Sequence, residues 1–146
     1  MQILAIMIGI QGSGKSTFCK TCLSKYERVS LDDLHTRNKE KTALDIAFEK
    51  NCNIVIDNTN PKIDDRKKYI KMGIDHGYRI VGYFMQSQIR ECIERNSLRT
   101  GKARIPNTAI AATSNKLQMP SKEEGFHELY YVSITEDGFN IDEWRE

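Results

Sequence analysis

Eight residues near the start of the chain have the types and spacing of a phosphate-binding loop. Residues 9–16 read Gly-Ile-Gln-Gly-Ser-Gly-Lys-Ser and lie between an apolar run and a helical pattern, as this motif requires. Glycines at 9, 12 and 14 allow positive φ angles, so successive backbone N–H groups can point at the phosphates of ATP. A glycine-rich turn without a ligand is the alternative, and the complete motif disfavours it. The predicted phosphate-binding residues are Gly12, Ser13, Gly14, Lys15, Ser16 and Thr17.

Individual roles follow from the side chains of this loop. Lys15 is long enough to reach the β- and γ-phosphates and is therefore a predicted catalytic residue. Ser16 lies in the first helical turn, where its hydroxyl can ligate Mg²⁺ while the helix N-terminus adds a positive field. The cofactors predicted by these residues are ATP and Mg²⁺.

Acidic residues follow two of the predicted strands. Asp57 ends the apolar run 53–57, which is the position of an acid that orients Mg²⁺ or its waters. Asp-Asn before Thr-Asn-Pro is also turn or capping chemistry, and both roles can coexist. Asp32 ends the strand predicted over 27–31, which we expect to neighbour the phosphate loop. Asp32 is thus our predicted general base for a hydroxyl that attacks the γ-phosphate, and Asp33 is the alternative base or a helix N-cap.

Four basic residues and no acid lie between positions 95 and 104, and they are Arg95, Arg99, Lys102 and Arg104. They cover a helix end and a glycine-containing loop, which predicts a mobile cationic lid. Arg99 is the predicted catalytic arginine, because a cation that arrives on closure can stabilise the charge of the transferring phosphoryl group. Arg95 is assigned to nucleotide binding. The alternative is a solvated basic surface at a helix C-terminus.

The elements that would position these residues alternate between strand and helix. The continuous apolar run 3–8 predicts a central parallel strand. Further strands are predicted over 27–31, 53–57, 79–84 and 128–134, with a short edge strand over 139–141. Helices are predicted over 15–25, 61–76, 87–99 and 106–120, and another helix is predicted to follow residue 41. Asn60 is the predicted N-cap of the helix over 61–76, and Pro61 is its predicted N1 residue. This pattern predicts an α/β P-loop NTPase kinase fold with a central parallel β-sheet flanked by helices and a helical or loop lid.

The composition excludes several classes of protein. A length of 146 residues with 39% hydrophobic and 29% charged residues predicts one globular domain over 1–146. A net charge of +2 does not by itself indicate a polyanion partner. The longest apolar run is too short for a membrane span, and Met1-Gln2 lacks a basic signal region, so we expect a cytoplasmic protein. The four cysteines, including the Cys19-x-x-Cys22 pair, are predicted to be reduced packing thiols without a metal cluster.

The chain resembles the kinase domain of polynucleotide 5′-hydroxyl kinases of phage and mammalian end-healing enzymes, over nearly its whole length. The motifs that carry the resemblance are Gly12 to Thr17, Ile56 to Pro61 followed by Arg66, Arg95-Asn96-Ser97, Ile105-Pro106, and Pro120 with Glu124-Gly125-Phe126. The resemblance implies that Asp32 is the general base, that Lys15 and Ser16 serve phosphate and Mg²⁺, and that Arg99 is the lid arginine. It implies a nucleic-acid 5′-hydroxyl end as the acceptor.

Two departures from the family pattern are visible. Leu31-Asp32 stands where the family has Arg-Asp, and an acceptor-phosphate arginine of the phage enzyme has no clear counterpart, with His35 or Arg37 as candidate substitutes. The phosphatase signature D-x-D-G-T is absent, so we expect a stand-alone kinase that does not remove 3′ phosphates.

Two other functions remain open from sequence. A small P-loop kinase with a sugar, antibiotic or aminoacyl-tRNA acceptor would use the same loop, acid and lid. A non-catalytic module could bind ATP only to move the lid. The presence of both Asp32 and Arg99 favours an enzyme, and the oligomeric state is left open.

Overall fold

A computed structural model describes all residues from 1 to 146. Six strands form one sheet, namely β1 (Ile3–Ile8), β2 (Glu27–Val29), β3 (Ile54–Ile56), β4 (Arg79–Met85), β5 (Glu128–Thr135) and β6 (Gly138–Glu143). The helices are α1 (Lys15–Cys22), α2 (Leu31–Leu34), α3 (Arg37–Glu49), α4 (Ile63–Asp75), α5 (Ile89–Ser97) and α6 (Asn107–Lys116). Short 3₁₀ turns occur at Gly101–Ala103 and Lys122–Glu124. The predicted α/β class is confirmed.

The sheet has the strand order β2-β3-β1-β4-β5-β6. The first five of these strands are parallel, and β6 pairs antiparallel with β5. The phosphate-loop strand β1 therefore lies between β3 and β4. The strand before Asp32, which we expected to neighbour the phosphate loop, is the edge strand β2, and β3 lies between it and β1.

Helices cover both faces of the sheet. Residues Leu4, Ile6 and Ile8 of β1 face one apolar cluster, which also contains side chains from α3 and α4. Ala5 and Met7 face the second cluster, to which α1 contributes Phe18 and Cys19. Burial on both faces explains why β1 is continuously apolar rather than alternating.

The loop between β3 and α4 corrects one sequence prediction. Helix α4 begins at Ile63, so Asn60 is not its N-cap and Pro61 is not its first residue. Asn60 instead adopts a positive φ of 43°, and its buried Nδ2 donates a hydrogen bond of 2.8 Å to the carbonyl of Met7. The Lys62 N–H at the start of α4 is accepted by Asp65 Oδ2 at 3.0 Å. The loop is therefore attached to β1, the strand that carries the phosphate loop.

The other outcomes at this level concern the cysteines and the membrane. Cys19 and Cys92 are buried as predicted for packing thiols, whereas Cys22 is exposed and does not pack. None of the helices combines the length and the apolar composition that crossing a bilayer requires. The cytoplasmic location stays a prediction.

Arg66 connects two parts of the chain that appear as separate motifs in the family resemblance. Its guanidinium is fully buried and donates to the carbonyls of Asn60 and Pro61, at 3.0 Å each, and to that of Gln118. Arg66 Nη1 also donates to Glu124 Oε1 at 3.2 Å and Oε2 at 3.0 Å. This buried ion pair connects the loop after β3 with the segment before β5.

We expect an Arg66→Met variant to lose about 3–5 kcal/mol of unfolding free energy, because Glu124 would remain buried without its partner. The matched control is Arg79→Met, since the side chain of Arg79 is 43% exposed in its ion pair with Glu128 and such pairs contribute about 0–1 kcal/mol. Urea unfolding followed by circular dichroism measures both values. Equal, small losses in the two variants would contradict the structural role of Arg66.

Candidate active site

The phosphate loop leaves β1 and is closed against helix α5. Gly12 and Gly14 have φ angles of 81° and 94°, which only glycine adopts without strain. A Cβ at Gly12 would lie 2.4 Å from the carbonyl oxygen of Cys92. Gly9 differs from the prediction, because its φ is not positive. Position 9 has no room for a larger side chain, because a Cβ there would lie 2.7 Å from Ser13 Oγ.

Polar groups inside this loop have few protein partners. The buried atoms Ser13 Oγ and Gln11 Oε1 make no hydrogen bond. Lys15 Nζ donates to the carbonyl of Ile10 at 3.0 Å. Burial lowers the pKa of Lys15 to about 8, although the negative charges of Asp57 and Asp32 oppose this shift. A ligand with several negative oxygens would stabilise the charged lysine and raise its pKa again.

The two predicted metal residues are in contact. Ser16 Oγ donates to Asp57 Oδ2 at 3.0 Å, and Asp57 is buried at the end of β3. A hydroxyl and a carboxylate oxygen are hard donors of the kind that Mg²⁺ takes, so this pair fits the predicted ion. The carboxylate also accepts a hydrogen bond of 2.7 Å from Arg28 Nε. Asp57 caps no helix, because α4 begins six residues later.

The two candidate bases have different surroundings. Strand β2 ends at Val29, so Asp32 and Asp33 lie in the first turn of α2 and not at a strand tip. Asp33 forms an ion pair of 2.5 Å with Arg28. Asp32 is exposed and has no ion-pair partner. Neither acid caps the next helix, because Thr36 accepts the Lys39 N–H at the start of α3.

Arg95 on helix α5 and Arg99 just after this helix lie near the phosphate loop. Arg95 Nη1 donates to the carbonyl of Gly12 at 2.9 Å. Arg95 and Arg99 line a cleft of about 380 Å³ with Gly12, Gly14 and Thr17. The rest of its lining comes from Ile134, Gly138 and Phe139 of the β5–β6 hairpin, which the sequence did not connect with the site. A larger cleft of about 560 Å³, at Tyr131 and Trp144, contains no residue of the phosphate loop.

The segment that carries Arg99 is closed by one buried side chain. Helix α5 ends at Ser97 rather than at Arg99. Asn96 is fully buried, and its amide binds both backbone groups of Ile105, with Oδ1 accepting at 2.9 Å and Nδ2 donating at 2.5 Å. Residues 98–104 therefore form a loop with a fixed base, in which Lys102 and Arg104 are exposed.

Two curated proteins are similar to the chain over most of its length. A bifunctional polynucleotide phosphatase/kinase of Schizosaccharomyces pombe is 33% identical, covering 86% of this chain and 32% of that protein. A protein of Acanthamoeba polyphaga mimivirus, also named as a bifunctional polynucleotide phosphatase/kinase, is 26% identical, covering 97% of this chain and 36% of that protein. The resemblance to polynucleotide kinases is thereby confirmed at the level of sequence similarity.

The chain spans about a third of the length of these two relatives. The expectation of a single-domain, stand-alone protein therefore stays a prediction. No protein-family model matches the chain.

Solved structures show the fold. Kti12 of Chaetomium thermophilum, in complex with ADP-AlF3, has a TM-score of 0.68 and 16% identity, and the match covers 92% of each chain. A gluconokinase of Sinorhizobium meliloti has a TM-score of 0.59 and 20% identity, covering 90% of this chain and 82% of that one. The chain has a P-loop kinase fold. These structural matches and the observed sheet together confirm the predicted fold class.

Sequence reasoning missed Arg28 in this P-loop kinase fold. Its three guanidinium nitrogens contact Asp57, Asp33 and, at 3.4 Å, Ser16 Oγ. A basic residue beside the last residue of a strand could have indicated this role, because its side chain can reach the end of the neighbouring strand. The strand order was needed to recognise which strand end that is.

Asn58 is the second residue that was missed. Its Oδ1 accepts the Leu31 N–H at 2.9 Å, which is the first N–H of α2. Its Nδ2 donates to Glu40 Oε2 at 3.1 Å and to the Tyr69 hydroxyl at 3.2 Å. These acceptors orient the amide, so Asn58 caps the short helix that carries Asp32. Glu40 and Tyr69 also bind Arg37, one of the two candidates for an acceptor-phosphate contact.

Proposed function

We propose that this P-loop kinase fold binds ATP with Mg²⁺ and transfers the γ-phosphate to the 5′-hydroxyl end of a DNA or RNA strand. The observation that carries the proposal is the complete phosphate loop, in which Ser16 contacts Asp57, together with Asp32, an exposed carboxylate without an ion-pair partner. The names of the similar proteins support a polynucleotide acceptor.

Nucleotide binding is assigned to the loop and helix α5. The ammonium of Lys15 neutralises the outer phosphates, while loop N–H groups donate to their oxygens. Arg95, already attached to the Gly12 carbonyl, contributes a second cation at the same loop. Ser16 and Asp57 would hold Mg²⁺, which supplies charge neutralisation on the phosphate oxygens when it is bound.

Asp32 is the proposed general base. Its carboxylate accepts the proton of the acceptor hydroxyl as that oxygen forms its bond to the γ-phosphorus. The bond from the γ-phosphorus to the bridging oxygen breaks, and ADP leaves. Asn58 keeps Asp32 in place through its hydrogen bond to the first N–H of α2.

Arg99 is the proposed source of positive charge on the transferring group. We expect Arg99→Ala to lower turnover by about 10³-fold, because a lid arginine stabilises charge that develops in the transition state. Nucleotide affinity should change little. Single-turnover transfer and ADP titration measure the two effects, with Arg90→Ala, an exposed arginine at the start of α5, as the control. Unchanged turnover would show that Arg99 is an ordinary surface residue without a catalytic role.

A label-transfer assay tests the proposal. The protein is incubated with γ-labelled ATP, Mg²⁺ and 5′-hydroxyl DNA and RNA oligonucleotides, and 5′-phosphorylated strands serve as blocked controls. Label on the 5′-hydroxyl strands alone is the expected result, and it also reports the preference for DNA or RNA. Absence of label with intact ATP binding would reject the polynucleotide acceptor.

A small-molecule acceptor is the second candidate, since the fold is shared with a gluconokinase. Salt separates the two classes, because binding of an oligonucleotide weakens steeply with ionic strength as phosphate contacts release counterions. Affinity for a neutral sugar would not follow this dependence. A flat salt response would favour the second candidate.

A further inference from the structure

The guanidinium of Arg28 contacts the two oxygen atoms that the proposed metal site would use. Its Nε lies 2.7 Å from Asp57 Oδ2, the same oxygen that accepts the Ser16 hydroxyl. Its Nη2 lies 3.4 Å from Ser16 Oγ. A cation bound by this hydroxyl and this carboxylate oxygen would therefore meet the guanidinium.

The charges explain why Arg28 is there. The side chain of Asp57 is only 2% exposed, and a buried carboxylate requires a partner cation. Lys15 does not fill this place, because its ammonium is directed at the Ile10 carbonyl. Arg28 is the ion-pair partner of Asp57, and its own side chain is 25% exposed.

Arg28 also has a second ion-pair partner, Asp33, which could hold its guanidinium away from Asp57. Its Nη1 forms an ion pair with Asp33 Oδ2, whose side chain is 63% exposed and lies on helix α2 beside the proposed base. Loss of the contact with Asp57 would leave the guanidinium attached to Asp33, toward solvent.

We propose that Arg28 is the resident counter-cation of the Ser16–Asp57 pair and that a divalent cation binds there only by displacing it. The displaced guanidinium remains paired with Asp33. A bare divalent ion therefore binds weakly, and bound phosphates, which add ligands and negative charge, make the displacement favourable. This inference rests on the proposed function only in treating Ser16 and Asp57 as the metal pair.

Mn²⁺ binding to the nucleotide-free protein tests the proposal, with paramagnetic resonance reporting the free ion. We expect Arg28→Gln to bind Mn²⁺ about tenfold or more tightly than the unchanged protein, a magnitude typical of coupling between two sites. Arg28→Lys, which keeps the charge but loses the planar set of donors, should lie between them. Arg79→Gln is the control, since that arginine pairs with Glu128 away from the phosphate loop, and Asp57→Asn in the Arg28→Gln background should remove the gain.

Thermal unfolding provides the second readout. Arg28→Gln should unfold at a lower temperature than the unchanged protein, and Mn²⁺ should restore that loss, because either cation neutralises Asp57. Equal Mn²⁺ affinity of the unchanged protein and Arg28→Gln would overturn the proposal. So would an Arg28→Gln chain that fails to fold with Mn²⁺ present while Arg28→Lys binds Mn²⁺ like the unchanged protein.

These measurements use neither ATP nor an acceptor strand. A failure of label transfer therefore leaves the result on Arg28 intact, and a failure here leaves the choice of acceptor intact.

Discussion

Lys15→Ala is expected to lose nucleotide binding and phosphoryl transfer together, with transfer efficiency lower by about 10³-fold. The ammonium of Lys15 is placed inside the phosphate loop, where burial lowers its pKa to about 8. Such a group would be stabilised by negatively charged oxygens, so we expect Lys15 to contribute to ground-state binding as well as to the transition state. ADP titration calorimetry and the label-transfer assay measure the two losses. Lys20→Ala, an exposed lysine of the same helix, is the matched control.

The pH dependence provides a sharper form of this prediction. Free Lys15 loses its proton as the pH rises through about 8, whereas bound phosphates favour the charged form. ADP affinity of the unchanged protein should therefore fall between pH 7 and pH 9, and binding near pH 8 should take up a proton. Both effects should vanish in Lys15→Ala. An unchanged ADP affinity in that variant would show that the loop does not hold phosphates.

Asp32→Ala is expected to lower transfer by about 10³-fold, within the range of general base catalysis, and to leave ATP affinity nearly unchanged. The reason is that, in the proposed mechanism, the carboxylate acts on the acceptor hydroxyl and not on the nucleotide. Single-turnover label transfer at saturating ATP measures the rate, and ATP titration measures the affinity.

Asp33→Ala is the internal control for this experiment. Both acids are in the first turn of α2, but Asp33 is already paired with Arg28. We expect a loss of less than about tenfold there, in line with the small contribution of exposed ion pairs. Normal transfer by Asp32→Ala together with a large loss in Asp33→Ala would move the role of base to Asp33.

Local patterns predicted the parts of the fold that depend on near neighbours in the chain. The phosphate loop was recognisable because its glycines, Lys15 and Ser16 act within one turn of backbone. The strand β1 was recognisable because its burial on both faces requires a continuous apolar run. Helix ends were less accurate, as at Asn60, where a hydrogen bond to Met7 replaced the expected cap.

The tertiary structure decided which distant residues meet. Ser16 and Asp57 are 41 residues apart, and their contact follows from the adjacent positions of β1 and β3. The resemblance contained Arg66 and Glu124 as separate motifs, and only the fold joins them as one buried ion pair. The β5–β6 hairpin likewise lines the cleft beside the phosphate loop without any signal in its sequence.

The sequence by itself thus determined the phosphate-loop motif and predicted the acids and the arginines that would act with it. Only the tertiary structure decided that Arg28 joins the acids, that Asn58 caps α2, and that Asp32 rather than Asp33 lacks an ion pair. The physical reason is that side-chain chemistry and turn geometry are local, whereas strand order is set by packing of the whole sheet. Local periodicity carries no information about that order, so it did not show that the strand before Asp32 lies at the edge of the sheet.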